Sequence, residues 1–153
     1  MAVIKAVSSK AGIGQALDYV TKDEKTEKKL VSGLNCEPDT AKDEMQATKE
    51  LWGKTEGRTY KHFVQSFAPE EKIEPEQAHC IACQMAAERP EWKGFEVLIA
   101  THQDKDHIHS HFIVNSVSFE NGHKLQQSRA DLQNMKDMSD EICRQQGFHI
   151  TEK

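Results

Sequence analysis

The chain has 153 residues, 37% of them hydrophobic and 29% charged, with a formal net charge of −5 at pH 7. That is one domain of ordinary globular composition, long enough for a real core. The acidic balance argues against a general nucleic-acid binder, though it leaves room for local basic patches. No apolar run approaches 18 residues, which excludes a membrane-spanning helix. A basic-then-apolar leader is not seen, and Cys36, Cys80, Cys83 and Cys143 do not read as a disulfide framework at this size. The expectation is a reducing, cytoplasmic setting.

Elements alternate along the chain. Ala2 to Val7 is a strand candidate. Ile13, Ala16, Leu17 and Val20 fall at helical spacing and predict a short helix over Gly12 to Thr21. Lys22 to Lys29 reads as a charged loop. Leu30 to Asn35 is a strand candidate, and Thr40 is placed to cap a helix with Ala41, Met45, Thr48 and Trp52 on one face. Thr59 to Phe67 alternates and is rich in aromatic and β-branched residues, the pattern of a strand. Phe63 and Phe67 share one face of it, and Tyr60, His62 and Ser66 the other. Pro75 opens a helix with the stripe Ala78, Ile81, Ala82 and Met85, and Pro90 ends it. Phe95 to Ala100 is a strand, followed by a histidine-rich strand running to about Phe119. Glu120 to His123 is a turn. Ser128 and Asp131 start a last helix with the stripe Leu132, Met135, Met138, Ile142 and Cys143, closed by Gly147. Strict βαβ repetition is missing. The reading is α+β: a mostly antiparallel central sheet, helices packed on one face, the other face open to a large substrate.

The chemistry concentrates in one segment. His102-Gln103-Asp104-Lys105-Asp106-His107-Ile108-His109-Ser110-His111 holds four histidines and two aspartates. On a strand, His107, His109 and His111 share a face, while Ile108, Phe112 and Val114 face a core. Histidines gathered in this way point to a metal ion. The bland alternative is a surface loop with one or two hydrogen-bonded histidines, and the alternation argues against it. Other residues have bland readings too. His62 is either a half-exposed strand histidine or a phosphate contact. Lys22 and Lys25 are either a solvated loop or a grip on DNA phosphates. Asn115 either satisfies strand-end backbone or contacts DNA. Cys80 and Cys83 lie in a helix, where cysteine packs. His79, His123 and His149 read as surface residues.

The spacing His102-x-Asp104-x-x-x-x-His109-x-His111 resembles the third motif of the conjugative relaxases, the relaxase/mobilization nuclease family of HUH endonucleases. Tyr60 to Phe67 resembles the family's second motif, and Gly122 to Gly147 is similar to its tail. The resemblance implies a ferredoxin-like or palm-type fold, a divalent cation held by His102, His109 and His111, and Tyr19 of Leu17-Asp18-Tyr19-Val20 as nucleophile. Ser110 stands where the family carries a hydrophobic residue. His107-Ile108-His109 fits that narrower pattern, which makes His107 a reserve ligand. The implied substrate is single-stranded DNA at an origin of transfer, with accessory DNA-processing and coupling proteins as partners. Residues 1–153 would be the N-terminal nuclease domain of a longer bacterial protein.

Such chemistry is sound in its own right. A divalent ion neutralises a phosphodiester and orients it for in-line attack. Three neutral imidazoles leave open positions for the phosphate oxygens. Asp104 suits the next layer, accepting a ring N–H from a ligand. A tyrosine nucleophile gives a phosphotyrosine that keeps the bond energy for rejoining. Mn²⁺ or Mg²⁺ is the expected ion, although such a site would hold Zn²⁺, Co²⁺ or Ni²⁺ more tightly. Tyr19 lies about 110° from the centre of its helix's apolar stripe. It can therefore flank the core and face substrate, with Tyr60 as its competitor. A rolling-circle replication initiator would share this chemistry. A phosphoesterase using activated water, and a DNA-binding remnant without catalysis, are the readings from other classes.

Overall fold

The computed structural model describes residues 2–7, 11–22, 26, 30–68, 72–103 and 107–147. Five strands form one antiparallel sheet: β1 (Ala2–Val7), β2 (Val31–Leu34), β3 (Tyr60–Phe67), β4 (Val97–His102) and β5 (His109–Asn115). Their order is β1-β3-β5-β4-β2. Among the described residues, four α-helices accompany the sheet: α1 (Ile13–Val20), α2 (Ala41–Leu51), α3 (Pro75–Glu88) and α4 (Arg129–Gln145). The α+β class and the antiparallel sheet are as expected.

The larger core lies between one face of the sheet and the helices α3 and α4. Phe63, Phe67, Phe112, Val114, Val97 and Ile99 come from the strands, and Ala78, Ile81, Ala82, Met85, Met135 and Ile142 from the helices. Trp92 is fully buried and its ring lies 5.6 Å from both Phe63 and Phe112. Helix α4 begins as its sequence predicts: the Asp131 amide donates to Ser128 Oγ, and the Ser128 amide donates to the Asp131 carboxylate. This reciprocal cap satisfies two amides that a helix start otherwise leaves without partners.

The second face is less open than the sequence suggests. Helices α1 and α2 cover part of it with a smaller core built from Ile13, Ala16, Leu17, Val20, Ala41 and Met45 over Tyr60, Leu98, Ala100 and Ile113. The reason is the apolar character of Leu98, Ala100 and Ile113, which need a cover of their own. What stays partly open is the strip carrying His62 and Ser66 of β3 and His109 of β5.

Two boundaries and two side-chain positions differ from expectation. Strand β4 extends through His102, so His102 sits on a strand rather than in a loop. Strand β5 ends at Asn115, not near Phe119, because the chain turns into a 119–121 turn braced by a Val117–Lys124 bridge. Gly122 makes that turn possible: its φ is +74°, and the Trp52 ring occupies the space a side chain would need. Trp52 accordingly lies outside the buried stripe of α2, where Lys49 takes its place. His79 is buried rather than on the surface. Its Nδ1 pairs with Thr101 Oγ1 at 2.8 Å and its Nε2 with Ser32 Oγ at 2.6 Å.

Lys49 is buried because it belongs to a polar network that ties α2 to the ends of β4 and β5. Its ammonium donates to Asn115 Oδ1 at 2.6 Å. The Asn115 amide nitrogen donates to Glu96 Oε1 at 2.9 Å and to the Met45 carbonyl at 3.1 Å. Thr48 Oγ1 donates to the other Glu96 oxygen at 2.8 Å. Burial lowers the Lys49 pKa to about 8 against the pull of Glu96, and burial raises that of Glu96. Asn115 bridges the two, so its loss leaves a buried ammonium and a carboxylate short of partners. Asn115→Ala should therefore cost about 2–3 kcal/mol, the scale of stranding buried polar groups. Urea unfolding checks this, and a midpoint equal to the wild type's would show the network contributes nothing.

Candidate active site

The antiparallel register of β4 and β5 sets His102 directly opposite His109. Two residues along β5, His111 projects from the same face and lies opposite Ala100, a residue small enough to leave room for imidazoles. The rings form a triangle. Centroids are 5.0 Å apart for His102–His109 and His109–His111, and 4.2 Å for His102–His111. One nitrogen from each ring lies within 4.8 Å of the other two. His102 and His111 are buried and His109 half-buried. His107, the third member of the alternating set, precedes β5, and its ring lies 5.6 Å from that of His109. The triad brought together is thus His102, His109 and His111.

Hydrogen bonding fixes the chemistry of these rings. His102 Nε2 lies 2.8 Å from the Val20 carbonyl. A carbonyl only accepts, so Nε2 carries the proton, and in a neutral ring Nδ1 presents its lone pair. That Nδ1 faces His109 Nε2 at 3.2 Å. A divalent cation between such nitrogens would turn this close approach into coordination. One His102 nitrogen committed in advance to a carbonyl, and ligand atoms already gathered, both fit a metal ion.

His62, on β3, points toward the same cluster. Its Nε2 lies 2.8 Å from His111 Nδ1. Burial, reinforced by the neighbouring His102, pushes its pKa down to about 4. In the tautomer where His62 accepts from His111 Nδ1–H, His111 Nε2 would be left to serve as a ligand. A ring held neutral in this way carries no charge with which to grip a phosphate. The sequence signal was present, since His62 shares its strand face with Tyr60 and Ser66, but the partner strand decides what it meets.

Tyr19 is at the end of α1, 47% exposed, its ring 6.4 Å from that of His102. The helix presents Ile13, Ala16, Leu17 and Val20 inward, which turns Tyr19 to the flank. The ammonium of Lys22 stands 6.0 Å from the Tyr19 ring centre. Tyr60 is buried and donates its hydroxyl to the Ala11 carbonyl at 2.9 Å. That bond gives the Tyr60 hydroxyl a structural partner, which the half-exposed Tyr19 ring does not need for burial. A groove of about 580 Å³ runs past Val7, Gln15, Asp18, Tyr19, Lys22 and His62.

Asp104 and Lys25 lie outside the described residues. Asn115 is fully buried in the Lys49–Glu96 network and offers no atom to a surface-bound strand. The Val20 carbonyl was invisible in the sequence, because backbone groups leave no residue-type signal.

The geometry meets independent similarity. The family model for relaxases, described as MobA/VirD2-like, nuclease domain, matches residues 19–148. The chain is 36% identical over 153 residues to "Protein rlx" of Staphylococcus aureus, covering all of this chain and 46% of that protein. A second Staphylococcus aureus "Protein rlx" is 35% identical over 147 residues, 96% of this chain and 42% of that protein. "Group II intron-interrupted relaxase LtrB" of Lactococcus lactis subsp. cremoris is 34% identical over 105 residues, 60% of this chain and 18% of that protein. The chain spans less than half the length of these relatives.

If His62 positions His111, His62→Ala should weaken metal binding roughly 10- to 100-fold without changing its stoichiometry. His62→Gln, whose side-chain oxygen can accept the same bond, should recover part of the loss. Calorimetric titration with Mn²⁺ measures both; equal affinity in all three proteins would remove His62 from the site.

Proposed function

The chain belongs to the MobA/VirD2-like relaxase nuclease family, and on that premise we propose that it nicks and rejoins one DNA strand at an origin of transfer. In this reading residues 1–153 are the N-terminal nuclease portion of a longer protein. It would act in the bacterial cytoplasm with accessory DNA-processing and coupling proteins. No helix among the described residues is long and apolar enough to cross a membrane.

Tyr19 is the nucleophile. Its hydroxyl oxygen attacks the scissile phosphorus, the bond from phosphorus to the 3′ oxygen breaks, and a 5′-phosphotyrosine and a free 3′-OH result. The tyrosine gives up a proton and the leaving 3′ oxygen gains one. Rejoining runs the same exchange backwards, with the 3′-OH attacking the phosphotyrosine. His102, His109 and His111 hold a divalent ion, Mn²⁺ or Mg²⁺ in the cell, which supplies charge neutralisation and orientation at the scissile phosphate. His62 holds the ring of His111, and Asp104 accepts a ring N–H from a ligating histidine. Lys22 and Lys25 contact phosphates flanking the nucleophile.

The observation that carries this reading is the tether between the two halves of the site. Val20, the neighbour of Tyr19, accepts the N–H of His102 at 2.8 Å. The nucleophile's helix and the histidine triad are thereby held in one frame, and in-line attack needs that relation fixed.

The test is a supercoiled plasmid carrying the cognate origin, incubated with and without EDTA and searched for covalent adduct. Wild-type protein should nick only with metal and carry DNA on the Tyr19 peptide. Tyr19→Phe should fold, bind metal and bind single-stranded DNA, with no cleavage and no adduct. DNA on another residue would displace Tyr19, and cleavage with no adduct would indicate a phosphoesterase that activates water.

The histidines make a separate prediction. The double variant His109→Ala/His111→Ala should lose stoichiometric metal and all nicking while keeping its far-ultraviolet circular dichroism. His107→Ala should be milder, and Asp104→Ala should lower metal affinity or activity roughly 10- to 100-fold. Metal retained in the double variant, or equal damage from His107→Ala, would show the wrong ligands were chosen.

A further inference from the structure

Beside the Tyr19 groove lies a second hollow of about 420 Å³, lined by Val7, Arg58, Tyr60, Lys61, His62 and Gln127 among others. The two share Val7, Ala11, Tyr60 and His62 as walls, so they form one trough. Its size suits a small planar ligand.

Gln127 is the informative residue. Both polar ends of its carboxamide are buried, and neither meets a hydrogen-bond partner. Leaving a buried amide unsatisfied costs about 1–3 kcal/mol for each stranded group. A glutamine kept at such a place is explained by a ligand that offers an acceptor and a donor side by side. Nucleobases do so, and the carboxamide matches the acceptor–donor pair of adenine in particular.

The rim fits the backbone of the same ligand. Arg58 and Lys61 stand close enough to repel, and Lys61 has its pKa lowered by burial first and by Arg58 second. Neither has an acidic partner among the described residues. In a chain of net charge −5, two adjacent cations without acids mark a place for an anion. The wall of Tyr60 gives a base an aromatic edge to lie against.

We infer that this pocket takes one unstacked base of the substrate strand, read by the Gln127 carboxamide, with Arg58 and Lys61 on the adjoining phosphates. The inference rests on the relaxase reading, since the strand that enters the pocket is the one cut at Tyr19. It adds a base-reading residue on the stretch between β5 and α4, away from the histidine segment and from Tyr19. The strand would run from the pocket along the shared wall to the groove of Tyr19. Selectivity for the nick site would then come partly from a base held away from the phosphate that is cut.

Selection from a pool of randomised single-stranded DNA, in EDTA so that nothing is cleaved, tests it. Wild-type protein should enrich one base at one position. Gln127→Ala should lose that preference, with the favoured base weakened about 5- to 100-fold and other positions unchanged. Gln127→Glu, which exchanges the donor for an acceptor, should favour a different base at that position. Arg58→Ala should weaken all sequences alike and reduce the slope of log affinity against log salt by about 0.7. Wild-type and Gln127→Ala profiles that superimpose would overturn the pocket, whether or not the origin plasmid is nicked. A Gln127-dependent base preference without metal-dependent nicking of that plasmid would keep the pocket and overturn the relaxase reading. Failure of wild-type protein to bind single strands would overturn both.

Discussion

The pairing of β4 with β5 is the constraint on which the site depends. His102 faces His109 across this pair, and His111 faces Ala100. A strand alternates its side chains between faces, so a slip of one residue would bury the histidines among the aromatics of the larger core. Phe112 and Val114 hold the register from below, because both are fully buried against α3, α4 and Trp92. Ile113 holds it from above under α1 and α2. The apolar residues of β5 thus fix its histidines by being unable to lie anywhere else. Helix α1 then docks on the same strands and brings Tyr19 and the Val20 carbonyl to the edge of the triad.

Much of this could be read from residues alone. Periodicity located all four helices and the alternation on β3, since burial imposes periods of 3.6 and 2 on apolar side chains. The buried stripe of α1 is the expected one, and so is that of α3 apart from the addition of His79 and Ala86. Alternation alone groups three histidines of one segment, and only the family spacing put His107 in reserve behind His109 and His111. His107 and His111 are both two residues from His109, and in the fold it is pairing with β4 that separates them. His102 became a strand residue for the same reason. Lys49 and Asn115 went unread because their burial is cooperative. Each is tolerable inside only with the other and Glu96 in place, and no local pattern announces a three-residue bargain. His62 was legible as a site residue, yet its partner comes from a strand 49 positions away.

Polar groups also run beneath the histidine face. Thr101 and Ser110 bond each other at 2.8 Å on the helix side, and Thr101 continues to His79 and Ser32. Gln65 donates to Ser139 of α4 nearby at 2.8 Å. Serine at position 110, where the family pattern is hydrophobic, is therefore explained: it completes a chain of satisfied buried hydroxyls. Such a chain is directional, unlike apolar contact, and it resists sliding of β5 past β4.

The alternation along β5 has a consequence for how this protein tolerates change. From His109 to Phe112, successive residues belong in turn to the histidine triad and to the buried interior beneath the sheet. A library of substitutions through this stretch would sort into two phenotypes in strict turn. One class would accumulate in cells as sound protein that does nothing, and the other would be cleared by proteases before its chemistry mattered. Inheritance could therefore retune the reactive side of the strand without touching the side that lets it fold.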